Sequence, residues 1–456
     1  MMVKTSKAEV DALLARAHEL GASDFLEGYF DHNGHLRTKR VHLEHLAHGL
    51  QEGVALHTAV FTTDPGNAII PEVCFSDPNY GFPDATLRLD AGSAREAHFG
   101  GQPSLLLLGN LLPPHADFCV RSLLADLLAR LRGEGLAVRA AFEYEWRLLD
   151  ETAASLARAH ADSVRVAPGA ARFYSVVDQA DQHALLDDLV QTHARMNLPI
   201  NALHTEYTDL LELSLLPAEG GEAADRAGLA KTLCKVVARR HQRTASFMPM
   251  LHPDGQGCGA HINLSLTDPD GAPVNLEANA PHGLSAALRH FLGGLQQYVP
   301  ELFLLLAPNL NSYRRFRPGL FTPLTNTWGI NNKTVAFRVV NQGVRRARIE
   351  CRIPGADVNP HLALWALVCA GRRGIAEGIE PDAPVKGDGW TQESKRFPPF
   401  PLTFSAAIER FAGSSVAAAC LAPEFIKCLV TGRRGQIAAL ANTITDWEIR
   451  TFAEGA

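Results

Sequence analysis

Phe142-Glu143-Tyr144-Glu145-Trp146 lies inside a longer run, Ala137 to Leu149, that alternates in the manner of a β-strand. Successive side chains of a strand point to opposite faces, so Glu143 and Glu145 share one face and the three aromatics the other. Two carboxylates about 7 Å apart on one face repel each other unless a cation lies between them. A solvent-exposed edge strand would carry the same letters, so the rest of the chain has to decide.

Upstream of this strand the chain is built of short pieces. The spacing of Val10, Leu13, Leu14 and Ala17 predicts a helix over 7–20 that ends at Gly21. Gly28 to Leu43 reads as a hairpin turning at Asn33-Gly34. Short strands broken by Pro65-Gly66, Pro78-Asn79 and Pro83-Asp84 follow, so residues 1–105 are expected to form a small sheet-rich domain. Downstream, helices are expected over 121–132, 181–195, 224–242, 284–306, 360–376 and 404–412, and strands over 260–266, 334–340 and 346–353. This mixture lacks the regular alternation of a doubly wound sheet. It predicts an α+β fold whose second domain, residues 106–456, holds an antiparallel sheet with surrounding helices.

Three further stretches are polar on one face. His204-Thr205-Glu206 to Glu212 carries two acids around a short apolar segment. Gly255-Gln256-Gly257-Cys258-Gly259 leads into a strand on which His261, Asn263 and Ser265 share a face, and such glycines let backbone approach a ligand. Arg348, Glu350 and Arg352 alternate with Ile349, Cys351 and Ile353, as on a strand facing a ligand-filled interior or on a salt-bridged surface. Between Glu301 and Glu350 there is no Asp or Glu at all, while Arg314, Arg315, Arg317, Lys333, Arg338, Arg345, Arg346 and Arg348 are all cationic. That imbalance calls for anions such as phosphates or carboxylates. Carboxylates for divalent cations together with arginines for phosphate are the parts of a phosphoryl-transfer site.

Composition excludes other classes. The 456 residues are 46% hydrophobic and 20% charged with net charge −6, which gives no electrostatic reason to expect nucleic acid or an anionic membrane as partner. No uncharged run approaches the roughly 18 apolar residues of a membrane span. The first twenty residues lack the apolar centre of a signal peptide, and none of the eight cysteines stands in C-x-x-C spacing; a cytoplasmic protein with reduced thiols is expected.

In this order the motifs resemble the glutamine synthetase family: Glu143-x-Glu145, Glu206 to Glu212, Gly257-x-Gly259-x-His261, Asn311-Ser312-Tyr313-Arg314-Arg315 with Pro318-Gly319, and Arg348-x-Glu350-x-Arg352 with Asn359-Pro360. The resemblance covers nearly the whole chain. It implies a small β-grasp-like domain before the catalytic domain, ATP and Mg²⁺ or Mn²⁺ as cofactors, and a ring of subunits, a hexamer or dodecamer, with sites between neighbours. It implies that Glu145, Glu206 and Glu212 hold one ion, and Glu143, His261 and Glu350 the other. Arg315 and Arg352 then match positions that hold glutamate and its phosphorylated form, Lys333 and Arg338 those at the ATP phosphates, Asn263 and Ser265 those facing the nucleotide, and Gln256 and Gly257 those at the amino-acid end of glutamate.

The departures are as informative. Ammonia-using members carry a flap glutamate two positions after Pro-Gly, and here that position is Phe321. An aromatic ring attracts a cation but accepts no proton. The Gly-rich segment of the family is replaced by Thr208-Asp209-Leu210-Leu211, Gln256 stands for an asparagine, and Asn263 for a histidine. The expectation is a ligase joining glutamate to an alkylamine, arylamine or polyamine. An ammonia-using enzyme, a ligase for another acid and a catalytically silent ring protein remain as alternatives.

Overall fold

The computed structural model describes residues 5–71, 73–159, 163–167, 172–207 and 209–455. Two sheets organise them. In the first, strands β1 (Asp24–Phe30) and β2 (Leu36–His42) form the expected hairpin, in register from Asp24↔His42 to Phe30↔Leu36. Asp31 holds the turn: its Oδ1 accepts the N–H groups of Asn33 and His35 at 3.0 and 2.9 Å. With β3 (Val54–His57), β4 (Asp84–Leu89), β5 (Arg95–Ala97) and β6 (Ser104–Leu111) the order is β2-β1-β6-β4-β3, β5 lying on β6. β6 is central, runs parallel to β1, and is buried along its whole length. A strand covered on both faces reads as a continuous apolar run, not as an alternation. This is why Leu105-Leu106-Leu107-Leu108 gave no strand signal, and the first sheet runs past residue 105 to Leu111.

The second sheet contains β7 (Ala137–Leu149), β8 (Ile200–Thr205), β9 (Leu211–Leu215), β10 (Ala218–Glu219), β11 (Thr244–Ser246), β12 (Ala260–Thr267), β13 (Trp328–Ile330), β14 (Phe337–Val340) and β15 (Arg348–Cys351). Its order is β13-β14-β15-β12-β7-β9-β8, with β10 and β11 also on β7. It is antiparallel as expected, except that β13 and β14 pair parallel at one edge. The aromatic face of β7 is fully buried: Trp146 stacks on Phe247 at 6.0 Å, and Tyr144 meets the same ring edge-on at 5.7 Å. Helix Gly220–Arg240 packs on that side, which leaves the Glu143 and Glu145 face to a cleft. Behind it, helices Ala286–Leu302 and Pro360–Glu377 meet at glycines. A Cβ on Gly294 would stand 2.3 Å from the Ala370 carbonyl oxygen, so only glycine permits this approach.

Asp225 locks the catalytic helices to the first sheet. It accepts from Arg121 Nε at 2.9 Å and pairs with His361 Nε2 at 2.8 Å, while Arg121 Nη2 reaches Asp90 beside the first sheet at 2.9 Å. Burial pushes the Asp225 carboxyl up, but Arg121 and His361 outweigh it and hold it well below the usual range. The resulting stabilisation is present above the ordinary carboxylate pKa and is lost as the pH falls below it. Asp225→Ala removes the buried partner shared by Arg121 and His361, leaving Arg121 with Asp90 alone, and is expected to cost about 3 kcal/mol, read as a lowered urea midpoint at pH 7; an unchanged midpoint would show that the lock contributes nothing.

Candidate active site

Cross-strand register builds the site. His204 on β8 faces Glu212 on β9, and Glu212 faces Glu145 on β7. Glu143 faces His261 on β12, and Asn263 of that strand faces Glu350 on β15, which in turn faces Arg338 on β14. Six acids or histidines from five strands thus form one polar band across the sheet. Two clusters stand out within it: Glu143, His261 and Glu350 bring ligand atoms within 4.8 Å of one another, and so do His204, Glu206 and Glu212. The second cluster differs from the expected trio. Glu145 turns one oxygen to the Gly259 N–H at 2.6 Å and keeps the other 4.0 Å from His261 Nε2. His204 takes its place, 3.3 Å from Glu206 and 3.6 Å from Glu212. Crowded carboxylates and imidazoles of this kind fit hard divalent cations.

Charge at the two ends of the band is treated differently. Burial pushes Glu350 up, but Arg352, His261 and Arg338 outweigh it and hold its carboxyl at about 2. Its oxygens contact Arg352 Nη1 and, at 2.6 Å, Arg338 Nη1. At the other end, burial and the neighbouring Glu212 raise Glu206, and hydrogen bonding to Glu212 raises His204. A bound cation would relieve the repulsion between Glu206 and Glu212.

The arginines have capacity to spare. The Nε atoms of Arg315, Arg338 and Arg352 are buried without a partner, and burial, with the like charge of Arg352, depresses Arg315. Orphaned guanidinium donors around a cavity fit an anionic ligand that brings its own oxygens. Arg315 is placed by the glycine loop, since a Cβ on Gly257 would stand 2.7 Å from its Cγ.

Apart from His204, these groups line one cleft of about 490 Å³, together with Gln256, Lys333, Leu210, Thr322 and a set of aromatics. Lys333 also faces an adjoining cleft lined by His282, Asn331, Asn332 and Pro384. Phe321 is 60% exposed and meets Trp390 edge-on at 5.3 Å, its backbone N–H pointing at Gln256 Oε1 at 3.4 Å. Asn263 and Ser265 do not line the cleft. Asn263 donates to Glu143 at 2.9 Å and accepts from Arg348 at 2.7 Å, and the Ser265 hydroxyl donates to the Ala347 carbonyl. In this fold both side chains brace neighbouring strands. Sequence reasoning missed His204, Phe173, Tyr174 and Tyr207. His204 could have been found, because it lies two residues from Glu206, where strand alternation repeats a face. The aromatics sit in irregular chain and carry no periodic signal. Thr208, part of the shortened segment, lies outside the described residues.

Comparison with known proteins adds to this geometry. The family profile described as glutamine synthetase, catalytic domain, matches residues 117–452. Gamma-glutamylethanolamide synthetase GlnA4 of Streptomyces coelicolor is 32% identical over 336 residues, 73% of this chain and 71% of that protein. Glutamate–isopropylamine ligase of a Pseudomonas species is 24% identical over 431 residues, 94% of each. A solved structure described as a GmaS/ADP complex shares the fold, with a TM-score of 0.82 at 24% identity over 97% of this chain and 99% of that one. Fold and site together define an ATP-dependent ligase that forms carbon–nitrogen bonds. The chain belongs to the glutamine synthetase family, whose members depend on ATP and a divalent metal.

Gly257→Ala tests the cleft. The added methyl must displace Arg315, so the KM for the acid substrate is expected to rise more than about tenfold with little change in melting temperature. An unchanged KM would remove Arg315 from substrate binding.

Proposed function

We propose that this enzyme phosphorylates the γ-carboxylate of glutamate with ATP and couples it to an organic amine, giving a γ-glutamylamide, ADP and phosphate. The observation that carries this reading is Phe321. It is exposed to the cleft at the flap, and no acid exists between Glu301 and Glu350 to replace the missing one. With Phe173, Tyr174, Tyr207 and Leu210, it gives the cleft an apolar wall suited to the carbon body of an amine. That two relatives carry names with different organic amines supports the same class.

Roles follow from the chemistry. A carboxylate is a poor acyl donor until one of its oxygens carries the γ-phosphoryl group of ATP. Arg315 and Arg352 hold the glutamate carboxylates and the acyl phosphate, their spare Nε donors meeting the new oxygens. Lys333 and Arg338 meet the ATP phosphates. Gln256 and Gly257 face the amino-acid end. Glu143, His261 and Glu350 would hold one divalent ion, and His204, Glu206 and Glu212, with Glu145 beside them, the other. Such ions neutralise charge on the transferring phosphoryl group. The neutral amine attacks the carbonyl carbon, the bond to the phosphate oxygen breaks, and the proton lost from the nitrogen goes to the departing phosphate. The aromatic wall excludes water that would hydrolyse the acyl phosphate.

The proposal extends to assembly. The loop of Asp64, Pro65 and Gly66 lines a separate cleft with Met248, Asn309 and Arg314, away from its own carboxylate band. A loop so placed can complete the site of a neighbouring copy in a ring homo-oligomer, hexamer or dodecamer.

Phosphate release from ATP with Mg²⁺ and glutamate, across ammonia, ethanolamine, putrescine, isopropylamine and aniline, is expected to be strong with an organic amine and weak with ammonia. Release with ammonia alone would overturn the reading. Phe321→Glu should shift preference toward ammonia by about tenfold or more; an unmoved preference would place Phe321 outside the amine pocket. Glu350→Ala is expected to abolish ATP turnover with every amine, and retained turnover would sink the metal assignment.

A further inference from the structure

Arg147 follows Glu145 by two residues on β7, and only 1% of its surface is exposed. All three of its guanidinium nitrogens are engaged, each with a different residue. Nε donates to Asp209 at 2.8 Å, Nη1 meets the Cys258 sulfur at 3.1 Å, and Nη2 donates to the Gln256 carbonyl at 2.5 Å.

These partners belong to segments that meet nowhere in sequence. Asp209 stands between Glu206 and Glu212, in a turn closed by the Glu206 N–H donating to the Leu210 carbonyl at 2.7 Å. Any movement of Asp209 therefore moves Glu206. Gln256 and Cys258 form the glycine loop, whose next residue, Gly259, donates to Glu145. The Gln256 side chain accepts the Phe321 N–H, so the same loop touches the flap. One buried guanidinium thus joins the His204, Glu206 and Glu212 cluster to the residue facing the amine.

We infer that Arg147 is a positioning residue that fixes the carboxylate segment, the glycine loop and the flap in one relative setting, and so tunes both cation affinity and amine selection. The inference rests on the ligase reading for its amine arm alone. The physical reason is the rigid planar fork of arginine, which addresses three acceptors at fixed angles. A lysine keeps the charge and the partnership with Asp209 but reaches fewer acceptors in less defined directions. The burial that makes Asp209 necessary also makes the arrangement intolerant: without the acid, a buried cation is left uncompensated.

The test compares Arg147→Lys, Arg147→Met and Asp209→Asn in the full-length chain. Free Mn²⁺ is titrated by electron paramagnetic resonance without ATP, and KM is measured separately for amine, glutamate and ATP. Arg147→Lys is expected to weaken one class of Mn²⁺ site by about tenfold and to raise the KM for the amine, while the KM for ATP stays within about twofold. Asp209→Asn should weaken the same Mn²⁺ class, and the double variant should lose less than the two single effects combined. A uniform fall in kcat with Mn²⁺ affinity and every KM unchanged would make Arg147 merely structural and overturn the inference, as would Arg147→Lys matching the parent throughout. Should Arg147→Met fail to fold, the lysine and asparagine variants decide. If the parent turns over no ATP with any amine, the ligase reading falls, while the Mn²⁺ titration still upholds or overturns the positioning role.

Discussion

The antiparallel register of the second sheet places Glu145 opposite Glu212 and Glu143 opposite His261, and everything distinctive about this protein answers that crowding. Like charges directly opposite in a sheet oppose its formation. The fold tolerates them because the other face of β7 is among the best-packed surfaces in the chain, with Phe142, Tyr144 and Trp146 wholly buried. Hydrophobic burial on one face of a strand therefore sustains electrostatic strain on the other. This is the usual condition for a functional site, whose charged groups are arranged for a ligand and not for the empty fold.

The compensation is uneven, and the unevenness assigns the chemistry. At Glu350 two arginines already sit within contact distance and hold its carboxyl far below the usual range. At Glu206 and Glu212, His204 is the partner in contact and Lys333 adds its charge, yet Glu206 is still raised. One end of the band is balanced by protein and the other waits for an external cation. Beyond the band the sign reverses, with three arginine Nε donors lacking acceptors. A polyanion carrying its own divalent cations satisfies both deficits at once, which ATP does and a simple acid does not.

How much of this was legible in the sequence depended on periodicity. Glu143, Glu145, His261 and Glu350 lie on strands whose alternation displays them, and the hairpin at Asn33-Gly34 follows from turn chemistry. The strand Ser104–Leu111 was hidden because burial on both faces erases alternation. The partner exchange that gave Glu145 to Gly259 and brought in His204 depends on which strands become neighbours, a long-range fact that local pattern does not contain. Arg147 carries no signal in the sequence beyond that of a polar residue on a strand. Its three partners lie 62, 109 and 111 residues away, so only the closed fold reveals it.

The apolar wall constrains the nitrogen as well as the carbon of the proposed amine. An alkylammonium has a pKa near that of lysine, about 10.4, so roughly one molecule in a few thousand is free base at pH 7. A flap carboxylate would bind the cation and help remove its proton, but an aromatic ring attracts the cation without accepting the proton. Under the proposed reading, Phe173, Tyr174, Tyr207 and Phe321 favour amines whose carbon body supplies binding by burial, leaving the nitrogen to be desolvated as the neutral base. Ammonia has no carbon to bury and gains no apolar burial from such a wall. A larger amine gains with every methylene, so the substitution of one flap acid by phenylalanine moves selectivity in one direction only.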